Sequence, residues 1–386
     1  MTAAVVVTGM GTINAVAASV PEFASALRSG RGHAGDFDWR EYDLPAAARR
    51  ILRNNTRSTR MSVCVAAEAL RQSGPPPDPA RTGLIIAGNN LHQSYIAGNL
   101  QALQQESLKF NPRYALGYAD THQVGCLTEI FGIRGMSYTV GGASASSNVA
   151  LLHAWNWLRT GTLDTCLIVG ACSDLSAAEQ LGFELIGAAS PSGVCRPFDT
   201  ARDGFVWRPA AACLVLQRQP VAEAGGAPIL GELAGAAMVM DGNHSSNPTV
   251  DGEAAAMRAA IAAAGIAAPA IGYVNAHATG SMLGDETECA ALRQVLGGQA
   301  AGARVNSTKA LVGHGLTAAG AVEAIATLLQ LNGGFIHPNP LLRDPIDPAL
   351  RFAGAAAEPM RCDTALSNGF AFGGFNTCVV LRRGAA

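Results

Sequence analysis

Short apolar runs rich in β-branched residues recur along this chain with helical stretches between them, and that alternation limits the fold more than any other feature. The runs are Val5-Val6-Val7, Leu84-Ile85-Ile86, Cys166 to Val169, Cys213 to Leu216, Tyr273-Val274 and Cys378 to Leu381. Continuous apolar strands of this kind belong to sheets covered on both faces, the α/β class. Between them Met61 to Gln72, Ser146 to Leu158, Glu253 to Ala264 and Ala318 to Leu331 are Ala-rich and read as amphipathic helices, several ending at glycine. A length of 386 residues suits two or three units, or one large α/β domain with an internal duplication. The most polar break, Gln217 to Pro228, is too short to be a free linker, so we read it as the join of two halves, residues 1–222 and 223–386.

Charge narrows the function. Lys plus Arg number 27 against 29 for Asp plus Glu, and charged residues make up only 15% of the chain. Nucleic acid and anionic membrane both require a basic excess and are excluded as partners. Nine cysteines without a C-x-x-C pair indicate neither a disulfide framework nor a zinc module, and fit a reducing cytoplasm. The opening MTAAVVVTGMG lacks a basic lead-in and reads as a first strand instead of a signal peptide. Apolar stretches are interrupted before they could span a bilayer.

Three places could carry chemistry. Gly9-Met10-Gly11-Thr12-Ile13-Asn14 approaches a dinucleotide fingerprint, but Asn14 replaces its third glycine, so a tight strand-to-helix turn is the expected role. Ser137 to Val140 reads as a strand, Gly141-Gly142 as a sharp turn and Ser146 to Leu158 as a helix, with Ser144 at the corner. That spacing nearly matches the elbow that exposes a nucleophile, although a serine before a helix is more commonly an N-cap. His277, in Asn275-Ala276-His277-Ala278-Thr279-Gly280-Ser281, and His314, in Val312-Gly313-His314-Gly315, stand in Gly/Thr-rich loops, where α/β proteins build sites. The other six histidines (His33, His92, His122, His153, His244, His337) lack that context and are expected at the surface or in caps. No third ligand accompanies His277 and His314 convincingly, because Asp285 and Glu288 fall on the following helix, so no metal is expected.

The serine corner, the H-A-T-G-S loop, Asn306-Ser307-Thr308-Lys309 leading to Gly313-His314, and the terminal Asn368-Gly369-Phe370-Ala371-Phe372-Gly373-Gly374-Phe375-Asn376 together resemble the β-ketoacyl-ACP synthases of the thiolase superfamily. The likeness spans the chain and includes Arg196-Pro197-Phe198-Asp199 and Arg202-Asp203-Gly204-Phe205-Val206. It implies a five-layered αβαβα sandwich of two duplicated halves, a homodimer, and a nucleophile at a buried helix N-terminus. It also implies that Ser144 stands where the family has its active-site cysteine, that His277 and His314 are the catalytic histidines, and that Lys309 orders His314 with Glu323 as its acidic partner. Thr279 and Ser281 match the hydroxyls that hold a phosphopantetheine arm, and Phe372 the gate residue whose backbone N–H joins that of Ser144 in an oxyanion hole. Two departures bear on the acyl pocket: Trp207-Arg208-Pro209-Ala210-Ala211 replaces the family's G-E-G-A-G-like run, and Phe375 its threonine.

The serine decides which half-reaction survives. A cysteine of pKa about 8.5 is acidified further at a helix N-terminus and accepts an acyl group as thiolate, whereas a serine hydroxyl requires a dedicated base. Loss of CO₂ from a malonyl thioester needs only stabilisation of the enolate oxygen, which two neutral imidazoles supply. The resemblance therefore implies a decarboxylase that converts malonyl-ACP to acetyl-ACP, like those of polyketide β-branching cassettes that feed a 3-hydroxy-3-methylglutaryl (HMG) synthase-like enzyme. Its partner is an acyl carrier protein, and it uses no cofactor beyond the arm that carries the substrate. A serine acyltransferase, a chain-length-factor partner subunit and a slow condensing enzyme are the alternatives.

Overall fold

In the computed structural model, which describes residues 3–32, 44, 46–105, 109–245, 247–297 and 302–384, the strands form one continuous mixed sheet and a small ribbon. The first half of the chain supplies β1 (Val5–Ile13), β2 (Thr82–Ala87), β3 (Ser137–Val140), β4 (Thr165–Gly170) and β5 (Ala211–Arg218). The second supplies β6 (Gly231–Met240), β7 (Tyr273–Asn275), β8 (Arg304–Asn306), β9 (Phe335–Ile336), β10 (Arg351–Phe352), β11 (Glu358–Pro359), β12 (Thr364–Ala371) and β13 (Phe375–Arg383). The sheet order is β10-β8-β7-β12-β13-β6-β1-β5-β4-β2-β3, with β9 and β11 paired separately.

Duplication is visible in that order. From the middle outward, β1-β5-β4-β2-β3 repeats as β6-β13-β12-β7-β8, and in each half two antiparallel pairings are followed by two parallel ones. Within the sheet the halves pair at Val6 with Glu232 and Val7 with Gly231. The sheet folds over at this seam, so that both halves face the helices Ser146–Arg159 and Ala319–Gly333 packed between them.

Strand alternation feeds the layers. Cys166 and Ile168 of β4 enter the central core, whereas Leu167 and Val169 enter an outer core capped by the helix Arg57–Ser73. In the second half Val379 and Leu381 of β13 point to the centre, and Cys378 and Val380 point to the helices Val250–Ala263 and Met282–Leu296. The result is the five-layered αβαβα sandwich. Its central helix Ala319–Gly333 departs from the expected amphipathic pattern: it is buried around almost its whole circumference, Glu323 included, because sheets cover it on two sides.

The Gly9-Met10-Gly11 segment also departs from expectation, being the middle of β1 and not a turn. A Cβ on Gly9 would sit 2.2 Å from the carbonyl oxygen of Ala69, and one on Gly11 2.1 Å from that of Val65. These glycines let the Arg57–Ser73 helix lie directly on the strand, and Glu68 completes the contact by accepting the Thr12 and Val20 N–H groups. Among the described residues no disulfide links any of the nine cysteines. Among the described residues no helix is long and apolar enough to cross a membrane.

Candidate active site

The two halves bring equivalent corners together. In the first, β3 ends at Val140, Gly141-Gly142 turns the chain, and a single 3₁₀ turn, Ala143–Ala145, leads into the helix Ser146–Arg159, one residue longer than expected from sequence. The Ser146 hydroxyl fixes the corner by accepting the Gly142 N–H (3.0 Å) and donating to the Ala143 carbonyl (2.7 Å). In the second half, β8 is followed by the short helix Lys309–Val312, His314, and another 3₁₀ turn, Leu316–Ala318, that opens the helix Ala319–Gly333. Each turn starts with a non-glycine residue in the left-handed region, Ala143 at φ 46° and Leu316 at φ 51°, a conformation that the surrounding structure must enforce.

Ser144 and His314 meet at these corners, Oγ to Nε2 2.9 Å. Backbone bonds hold His314 in place: its N–H donates to Val206 O (2.8 Å), and Arg208 N–H donates to its carbonyl (3.1 Å). Val206, which ends the R-D-G-F-V motif, and Arg208, in the run that departs from the family, thus bracket this histidine. Gly313 is required there, since its φ is 70° and a Cβ would lie 2.7 Å from Arg208 Cγ. The Leu316 N–H donates to His314 Nδ1 (3.3 Å), which assigns the ring proton to Nε2.

His277 follows β7 and reaches the same place, with ring centroids 5.7 Å from His314 in an edge-on arrangement. Lys309 corrects the expectation drawn from the resemblance. Its Nζ donates to the His277 carbonyl (2.7 Å), faces His277 Nδ1 (3.4 Å) and pairs with Glu323, so it orders His277 and not His314. The reason is topological: Lys309 opens the short helix and points back toward β7, whereas His314 lies beyond that helix. A lysine only donates, so His277 too carries its proton on Nε2. Burial, reinforced by Lys309, holds both imidazoles well below the usual histidine range, and they are neutral at pH 7.

The sequence reading considered Asp285 and Glu288 only as metal ligands, and their actual work is positional. Glu288 accepts the N–H groups of His277 (2.9 Å) and Ala278 (2.8 Å), and Asp285 those of Thr279, Gly280 and Phe198. The available signal was the i, i+3 spacing of two acids on the helix directly after the His loop. Arg202 of the R-D-G-F-V motif braces the same loop by donating to Ser281 O (3.1 Å) and Met282 O (2.7 Å).

A cavity of about 590 Å³ opens onto this centre, and Ser144, His277, Thr279, Ser281, His314 and Phe372 all line it. Thr279 is buried, Ser281 half-buried at the start of its helix, and Phe372 exposed at the β12–β13 turn. Lys309 and Glu323 stand behind the cavity, fully buried. Of the remaining histidines, His33 lies outside the described residues. His92 stands at the N-cap of the helix Gln93–Gln104 with its ring buried and Nδ1–H donated to Gly117 O, whereas His337 is buried and neither at the surface nor in a cap as expected, its Nδ1–H taken up by Pro338 O. His122 and His153 are half-buried on Asn55 and Tyr138, and His244 is exposed.

Comparison with known proteins agrees with this geometry. The family model of the β-ketoacyl synthase N-terminal domain matches residues 48–222, and that of the C-terminal domain residues 230–342. The polyketide biosynthesis malonyl-ACP decarboxylase PksF of Bacillus subtilis (strain 168) is 35% identical, over 98% of this chain and 96% of that protein. Nodulation protein E of Rhizobium sp. (strain N33) is 31% identical over 98% and 99%. Among solved structures, the ishigamide ketosynthase/chain length factor superposes with a TM-score of 0.90 at 26% identity over 100% of both chains. A β-ketoacyl synthase from Burkholderia phymatum STM815 gives 0.88 at 28%, over 99% and 100%. The duplicated sandwich, the paired corners and these matches together place the chain in the β-ketoacyl synthase family.

Proposed function

We propose that the protein decarboxylates malonyl-ACP to acetyl-ACP in polyketide biosynthesis, without condensation. The observation that carries this reading is the tautomer of the two histidines. With both Nδ1 atoms occupied as acceptors, both rings present Nε2–H toward the cavity, two neutral donors for one developing oxyanion. In this reading Thr279 and Ser281 hold the phosphopantetheine arm, and the thioester oxygen lies between His277 and His314. The C–C bond to the carboxylate then breaks, and the electron pair it leaves is stabilised as the enolate. The electrons come from the substrate's own bond, so the chemistry requires no cofactor in the protein. Ser144 offers the His314 ring a hydroxyl, and Phe372 closes the outer wall. The acetyl-ACP formed is a substrate suited to an HMG synthase-like enzyme.

A 35% identical relative named as a malonyl-ACP decarboxylase supports the reading. The serine acyltransferase alternative needs His277 or His314 to take the Ser144 proton, yet both rings carry their proton on Nε2, the nitrogen that in His314 faces Ser144. A partner subunit without chemistry would have no use for a buried Lys309 and Glu323 set behind two histidines. The test is incubation of the purified protein with malonyl-ACP and mass spectrometry of carrier and enzyme. Acetyl-ACP with unmodified enzyme is the expected result; a stable acyl group on Ser144, or intact malonyl-ACP, overturns it.

A further inference from the structure

Enolate formation leaves a proton to be supplied, and the groups already assigned are poor sources. His277 and His314 would become imidazolates, and Ser144 an alkoxide, if they gave up the hydrogens they aim at the cavity. Glu253 is a carboxyl group that the scheme above does not use. It lies in the first turn of the helix Val250–Ala263, is 1% exposed, and forms part of the same cavity wall. Among the described residues its Oε2 has no hydrogen-bond partner.

Its surroundings are acidic on every side that bears charge. Asp241, just beyond β6, and Asp285 and Glu288, from the helix Met282–Leu296, are the charged groups acting on it, while β12 and β13 contribute the neutral Asn368 and Asn376. Burial first, and then these three acids, push the Glu253 carboxyl well above the usual carboxylate range and favour its protonated form. Asp241 Oδ2 and Asn368 Oδ1, two buried acceptors, likewise lack partners among the described residues, which here are short of donors and not of acceptors. Asp285 and Glu288 differ from Glu253 in being filled by backbone N–H groups, which commits them to holding the His277 loop.

We propose that Glu253 is the proton source of the reaction, passing its carboxyl proton through cavity solvent to C2 of the enolate. The inference rests on the decarboxylase reading. The C2–C3 bond of the malonyl unit breaks, C3 leaves as CO₂, and the electron pair is held over C2 and the thioester oxygen. A C2–H bond then forms with the Glu253 proton, Glu253 becomes a carboxylate, and bulk solvent reprotonates it after acetyl-ACP departs. The net change is malonyl-ACP plus one proton to acetyl-ACP plus CO₂.

The experiment measures CO₂ release and acetyl-ACP formation for the parent and for Glu253→Gln against pH, with folding checked by circular dichroism. Glu253→Gln should lower kcat by about 10²-fold with KM little changed, the scale of a lost general acid. The parent should lose rate at alkaline pH as Glu253 ionises, and the Gln variant should lack that limb. A variant that matches the parent's kcat, or that is slower but keeps the alkaline limb, overturns the assignment while the decarboxylase reading stands. A parent that releases no CO₂ removes the reading and the proposal together. Should Glu253→Gln not fold, Glu253→Asp decides: a displaced alkaline limb supports the assignment, and an unmoved one overturns it.

Discussion

His277 and His314 owe their chemistry to groups that touch only their far nitrogens. Lys309 and the Leu316 N–H fill Nδ1 and leave Nε2–H for the substrate, so removing either ring removes a donor from the oxyanion. His277→Ala and His314→Ala should each lower malonyl-ACP decarboxylation by about 10² or more, and Ser144→Ala much less, as steady-state kinetics on the three variants would show. Acidity gives a second check. Because burial and Lys309 depress both imidazoles, neither ring should protonate as pH falls through 6.5, the ordinary value for histidine. The acid limb of kcat should therefore lie below pH 6.5, and a limb at 6.5 would mean an exposed histidine is in control. Sequence alone pointed to His277, His314 and Ser144, since Gly-rich loops flag them. It misassigned the contact of Lys309, because which histidine a lysine reaches depends on the fold of the four-residue helix it opens.

Strands and helices were legible where side chains settle the matter locally. The corner from Ser137 through Arg159 follows from an apolar strand, a Gly-Gly turn and a helical run, all adjacent. β6 was not legible, since GELAGAAMVM has the small residues of a helix or a loop. It becomes a strand because the helix Val250–Ala263 approaches so closely that a Cβ on Gly235 would lie 2.5 Å from the Ala260 carbonyl. Gly9 and Gly11 obey the same rule on β1. Gly11→Ala should cost about 1–3 kcal/mol, since the clash is with helix backbone and the Arg57–Ser73 helix must shift as a unit. Urea unfolding of the variant would show the lowered midpoint. An unchanged midpoint would mean that the helix is free to slide.

At the scale of the whole molecule the unpaired edge is the informative part. β3 ends the sheet with none of its four residues fully buried, and Leu100, Leu103, Phe110, Leu116 and Met136 are exposed apolar side chains. A second copy of this chain would cover such surface, and sedimentation at micromolar concentration should give a dimer; a stable monomer would refute this. The duplication was expected from the chain length and the family resemblance and not from any visible repeat, because the halves share strand order but no repeated run of residues.

The folded-over sheet has one more consequence, an electrical one. Both central helices, Ser146–Arg159 and Ala319–Gly333, begin at the cavity, so the positive ends of two long backbone dipoles converge where Ser144 and His314 meet. An anion forming there lies in a field set by main chain rather than by mobile side chains, and low-dielectric walls shield that field from salt. If the reaction is the proposed decarboxylation, this field accommodates the substrate's negative charge, and the pull on an enolate is in place before any substrate arrives.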